Sequence, residues 1–120
     1  MRVLIAEDDE AIRYLMRVNI ELAGHEVVGE AENGRTTLEL VHQQHPDVLV
    51  LDMMMPGMNG RDVLTELAKA SNHHDDMLVV AFSAAPTELA KASELGADAA
   101  VLNTGDFDEL VDAVDALVTR

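Results

Sequence analysis

Four consecutive apolar residues, Val48 to Leu51, run straight into one carboxylate, Asp52, and then into a loop punctuated by Pro56, Gly57 and Gly60. An apolar run of this length between turn residues reads as a strand buried on both faces, the kind found in a parallel sheet. In open parallel α/β sheets, ligands and chemistry collect just beyond the carboxyl ends of the strands. Asp52 stands at such an end, although a lone Asp there also serves as a turn residue or helix cap.

The rest of the chain repeats the pattern. Val3 to Ala6 form a short aliphatic run ending in Glu7, Asp8, Asp9 and Glu10. A helix follows, with Ile12, Leu15, Met16, Ile20 and Ala23 on one face, Asp9 as N-cap and Gly24 as stop. His25 to Ala31 read as a second strand, and Asn33-Gly34 opens a helix with Leu38 and Val41 inward, ending before Pro46. A third helix carries Val63, Leu64 and Leu67 and is broken by the polar residues 71–76. Met77 to Phe82 form a fourth strand ending at Ser83, Thr87 to Leu95 a helix closed by Gly96, and Ala99 to Leu102 a fifth strand. Asp106 and Glu109 resemble a capping box for the last helix, along which Phe107, Leu110, Val111, Val114, Leu117 and Val118 recur at helical spacing. Five βα units with short connections predict one α/β domain over residues 1–120, a parallel sheet covered by helices on both faces.

Composition narrows the function. Only Tyr14, Phe82 and Phe107 are aromatic, so the core is built from Leu, Val, Ile, Ala and Met. A net charge of -15 argues against direct nucleic-acid binding and suits cations or a basic partner surface. With no cysteine, disulfides and thiolate metal sites drop out. No apolar segment has the length of a signal peptide or a membrane span, so a cytoplasmic protein is expected.

Polar groups stand at the ends of four of the strands: Glu7 and Asp8, Asp52, Ser83, and Asn103 with Thr104. A parallel sheet brings them to one edge. Carboxylates gathered without Lys or Arg repel one another strongly. A hard divalent cation with oxygen ligands, Mg²⁺ (or Mn²⁺), relieves that repulsion. A carboxylate at the centre of such a site can attack phosphorus and form an aspartyl phosphate.

Leu-Ile-Ala-Glu-Asp-Asp-Glu-Ala-Ile-Arg, Leu-Asp-Met-Met-Met-Pro-Gly-Met-Asn-Gly and Gly96-Ala97-Asp98 together resemble the response-regulator receiver domain, the phosphoacceptor module of two-component signalling. The likeness runs from Val3 to the last helix. It implies a flavodoxin-like fold, a doubly wound five-stranded sheet of order 2-1-3-4-5 with five helices. It makes Asp52 the phosphoacceptor and places the metal on Glu7, Asp8, Asp52 and the backbone carbonyl of Met54. Ser83 matches the hydroxyl residue that contacts the phosphoryl group. A one-residue slip would shift the acidic pair to Asp8 and Asp9. The implied donor is a sensor histidine kinase or a histidine phosphotransfer protein, and a phosphorelay role and a homodimer are both admitted. The chain ends after the fifth helix, so an isolated module, or a piece of a longer protein, is expected.

The chain departs from the family at its last strand. Asn103-Thr104 replaces the family's Lys-Pro, and Asn brings neither the charge nor the reach of lysine. Ala100 stands where the family has an aromatic that changes rotamer on activation, and the segment from Ser83 to Gly96 looks short. These changes predict an atypical switch. They also support an alternative, a degenerate receiver that docks or dimerises without phosphorylation.

Weaker signals read more plainly. His42 with His45, and His73-His74 beside Asp75-Asp76, read as exposed histidines rather than a transition-metal site. Met53, Met54, Met55 and Met58 read as gap-fillers around the acidic pocket. Arg13 and Arg17 read as a solvated helix side laced with Glu10 and Glu21, or else a docking face. Asp108, Glu109, Asp112 and Asp115 read as a solvated outer face that disfavours an acidic partner. An aspartyl-nucleophile phosphatase would need a second Asp where Met54 stands. A flavin site would place a phosphate against Glu7 to Glu10. Neither fits, so the chain is expected not to be an enzyme beyond promoting its own phosphoryl transfer and dephosphorylation.

Overall fold

A computed structural model describes residues 1–69 and 76–118, the last by its backbone alone. Strands β1 (Arg2–Ala6), β2 (Glu26–Ala31), β3 (Val48–Asp52), β4 (Leu78–Ser83) and β5 (Ala99–Leu102) alternate with helices α1 (Glu10–Leu22), α2 (Gly34–Gln44), α3 (Gly60–Leu67), α4 (Pro86–Glu94) and α5 (Asp108–Val118). The strands form one parallel sheet in the order β2-β1-β3-β4-β5. The expected fold and strand order are therefore observed.

Strand periodicity divides the core in two. Leu49 and Leu51 of β3, with Leu4, Ala6, Val79 and Ala81, meet Val41, Val63, Leu64 and Ala92 from α2, α3 and α4. Val48 and Val50, with Val3, Ile5, Val80 and Phe82, meet Met16, Ile20, Leu110 and Val114 from α1 and α5. Phe82 stacks on Phe107, ring centroids 6.0 Å apart. The central strand β3 is wholly buried, as its unbroken apolar run requires.

Two local expectations need correction. On α1 only Met16 and Ile20 are buried; Leu15 and Ala23 face outward, because the stripe that meets the sheet is narrower than the apolar count suggested. The acids at 106 and 109 do not form the expected box: Asp106 Oδ1 accepts from the Asp108 N–H at 2.9 Å, a turn that closes two residues on, and α5 begins at Asp108. A reciprocal box instead opens α3, where Asn59 and Asp62 each accept the other's backbone N–H. His42 and His45 are exposed as expected, and His45 ends α2 in the left-handed region at φ 46°. The expectation for His73 and His74 lies outside the described residues.

Candidate functional site

Glu7 is the first residue past β1, yet its N–H still reaches across to Ala31 O of β2 at 2.9 Å. That bond extends the ladder by one residue and turns the Glu7 side chain over the sheet edge, where it is only 3% exposed. The Asp9 N–H donates to Glu7 Oε2 at 3.1 Å, and Arg13 Nη1 donates to the Glu7 carbonyl at 2.8 Å. Asp9 itself accepts the Ile12 N–H at 2.9 Å and caps α1. Glu7 and Asp8 thus lie beside Asp52, whereas Asp9 is engaged as the cap of α1.

Asp52 ends β3 in register with Phe82 of β4 and is 7% exposed. Its Oδ1 accepts the Met54 N–H at 3.0 Å. The loop beyond is pinned by Met53 N–H to Phe82 O at 3.1 Å and Gly60 N–H to Met53 O at 3.3 Å. Gly60 is obligatory here, since a Cβ would lie 2.6 Å from Met53 Cα and 3.0 Å from Asp52 O. Met53 and Met55 are buried, and Met58 packs on Gly34, as gap-fillers should. Met54 instead is 58% exposed, on the rim beside Asp52.

Carboxylate oxygens of Glu7, Asp8 and Asp52 lie within 4.8 Å of one another. Burial, with Asp52 as hydrogen-bond partner and like charge, pushes Glu7 up to about 9. Asp52 is raised as well, by burial first, against lowering hydrogen bonds from Glu7 and the Met54 N–H. Two buried acids and one exposed acid at this spacing form an all-oxygen donor set fitted to a hard divalent cation. His42 and His45 join no such cluster among the described residues.

The remaining expected residues lie on or just beyond β4 and β5. Ser83 ends β4 with 2% exposure, its Oγ accepting the Ala85 N–H at 3.1 Å. The Asn103 N–H donates to Ser83 O at 2.8 Å, but its Oδ1 accepts the Gly105 N–H at 3.0 Å and is engaged in its own loop. Ala100 is exposed on β5. Two contacts had no sequence signal that singled them out: the Arg13 bond to Glu7, and a two-pronged pair from Arg61 to Glu88 at 2.8 and 2.6 Å that ties α3 to α4. The first could have been suspected only from an arginine one turn past an acidic run. The solvated-side reading of Arg13 is thereby corrected, while Arg17 does pair with Glu21, at 3.5 Å.

No helix among the described residues is long and apolar enough to cross a membrane. The profile of the response regulator receiver domain matches residues 3–115. The chain is 34% identical over 119 residues to a probable transcriptional regulator, ycf27, of Galdieria sulphuraria, covering 99% of this chain and 46% of that protein. It is 31% identical over 119 residues to the transcriptional regulatory protein PdtaR of Mycobacterium tuberculosis, covering 99% and 57%. It thus spans about half the length of these curated relatives. Among solved structures, the receiver domain of the NarL regulator from Mycobacterium tuberculosis superposes with a TM-score of 0.86 at 31% identity, over 98% of this chain and 95% of that one. The regulator TrrA of Thermotoga maritima, solved with Mg²⁺ and a beryllium fluoride, superposes at 0.85 and 30% identity, over 97% of each chain. This chain belongs to the response regulator receiver domain family of two-component signalling.

Proposed function

We propose that the chain is a single phosphoacceptor module that takes a phosphoryl group onto Asp52 from a phosphohistidine donor, with Mg²⁺ (or Mn²⁺) held by Glu7, Asp8, Asp52 and the Met54 carbonyl. The carrying observation is the approach of the three carboxylates to within 4.8 Å at the end of β3. In the transfer, an Asp52 oxygen attacks phosphorus, the P–N bond to the donor imidazole breaks, and its electron pair stays on that nitrogen. When bound, the cation supplies charge neutralisation for phosphoryl oxygens and for the clustered acids. Buried Ser83 offers a hydroxyl at the end of β4, the strand paired with β3, and Asn103 stands in place of the family lysine. Hydrolysis of the acyl phosphate by water returns phosphate and the free carboxylate, a self-dephosphorylation that makes the signal transient.

The donor is a sensor histidine kinase or histidine phosphotransfer protein. Exposed Tyr14 and Leu15 on α1 support a docking face there. Exposed Asp108, Glu109, Asp112 and Asp115 on α5 oppose a homodimer through that helix. The switch is atypical, because Ala100 has no rotamer to change. A second reading, phosphorylation-independent docking, draws support from Asn103, whose side-chain oxygen is committed to Gly105.

Incubation with Mg²⁺ and acetyl phosphate, followed by intact mass, separates the readings. A phosphoryl adduct that vanishes in Asp52→Asn is expected. Absence of the adduct with Mg²⁺ binding retained would favour the docking reading instead.

A further inference from the structure

We infer that Arg13 is a positioning residue for the acidic cluster, fixing the Glu7–Asp8 peptide so that both side chains face Asp52; this rests on the metal-dependent reading above. The Glu7 carbonyl that Arg13 Nη1 holds at 2.8 Å belongs to the peptide bond leading into Asp8. Rotation of that peptide swings the Asp8 side chain away from the sheet edge, and Asp8, exposed, has little packing to resist it. Glu7 is already fixed at its N–H by Ala31 and at Oε2 by Asp9. Arg13 supplies the third restraint. The arginine is itself held: its side chain is 17% exposed, and its Nε lies 3.5 Å from Glu30 Oε1 on β2. The other oxygen of Glu30 lies 3.5 Å from Arg17 Nε. One guanidinium therefore ties the end of β1, the first turns of α1 and strand β2 together.

Charge and geometry predict opposite signs, which makes the inference testable. A bare positive charge beside a cation site repels the cation, so its removal should tighten binding. Loss of a restraint on metal ligands weakens binding, by roughly 10–100-fold for such supporting contacts. The experiment measures Mn²⁺ affinity from the free-ion paramagnetic resonance signal, on the full chain, with far-UV circular dichroism as a folding check. Arg13→Met, which keeps the aliphatic stem, is expected to bind Mn²⁺ about 10–100-fold more weakly. Arg13→Lys, which keeps a donor and the charge, is expected to recover most of that loss. If Arg13→Met does not fold, Arg13→Gln serves the same comparison. Binding in the neutral variant as tight as in the parent, or tighter, overturns the inference, and so does an equal loss in Arg13→Lys. Failure of the parent itself to bind Mn²⁺ would instead sink the metal-dependent reading.

Discussion

Carboxylate oxygens of Glu7 and Asp52 lie within 4.8 Å of one another at the ends of β1 and β3, and burial beside the Asp52 carboxyl pushes Glu7 up to about 9. The folded chain thus answers the repulsion of its acids with a proton, and a divalent cation would take that proton's place. Competition between the two would give the site its pH dependence.

Glu7 keeps its proton in the folded state up to about 9, whereas in the unfolded chain it is lost near 4.5. The folded state binds more protons between those values, so stability is full below the lower one and falls as pH rises toward the upper one. Without divalent ions, thermal melts should show the midpoint declining from about pH 5 to about pH 8. Glu7→Gln should flatten that decline and raise the midpoint at the alkaline end, by about 4 °C or more for each kcal/mol relieved. A steeper decline in Glu7→Gln than in the parent would contradict this. Metal affinity carries the same linkage with opposite sense, rising with pH by up to about tenfold per unit until Glu7 is ionised.

Asn103→Lys should restore a cation to the rim of the cluster. The backbone of residue 103 is already held, by its N–H to Ser83 O at 2.8 Å, so the change falls on the side chain and its turn with Gly105. Adduct formation with acetyl phosphate is expected to quicken at least about tenfold, since one preorganised charge at a phosphoryl group contributes on that scale or above. A rate within twofold of the parent, at about equal Mg²⁺, would mean that the metal alone suffices.

Much of this was legible in the chain because strand burial and chemistry report on each other. The run Val48–Leu51 announced a doubly covered strand, and the residue that ends it had to lie at the sheet edge. Parallel order then brought Glu7, Asp8 and Asp52 to one rim without any knowledge of packing angles. Less legible were features set by side chains crossing between elements. Arg13 could be placed on α1 but not turned toward Glu7, because helical spacing gives a face and not a rotamer. Leu15 was misplaced for the same reason: an apolar residue next to the buried stripe is indistinguishable from one inside it. The cap at Asn59–Asp62 was missed, and one at Asp106–Glu109 expected, because the same residue types also close short turns.

Gly60→Ala tests how closely the loop after Asp52 depends on backbone contact. The added methyl would meet Met53 Cα at 2.6 Å and the Asp52 carbonyl at 3.0 Å, groups that cannot rotate aside. Overpacking of this kind costs about 1–3 kcal/mol. The melting midpoint should fall accordingly, and Mn²⁺ affinity should fall with it as Asp52 is displaced. Unchanged affinity at a lowered midpoint would show that the loop yields without moving the acid.

Phosphorylation of Asp52 would reach the rest of the domain through Ser83 and α4. Ser83 Oγ accepts the Ala85 N–H at 3.1 Å, so a hydroxyl that turns toward a phosphoryl group loosens the residue just before α4. The first turn of α4 is tied to α3 through Glu88 and Arg61, which passes such a displacement onward to the helix that follows the acceptor loop. On β5, Ala100 offers a single methyl and Asn103 is bonded within its own loop, so little there can respond. With Mg²⁺ and beryllium fluoride added, amide chemical-shift changes should therefore concentrate at Glu7, Asp8, Asp52 to Met54, Ser83 to Ala85 and the start of α4. Residues 99–102 should change far less, and Arg61→Ala should confine the response to the loops. Changes along β5 as large as those at Ser83 would show that the strand moves without its aromatic, and the output of this receiver would then have to be sought on β5 rather than between α3 and α4.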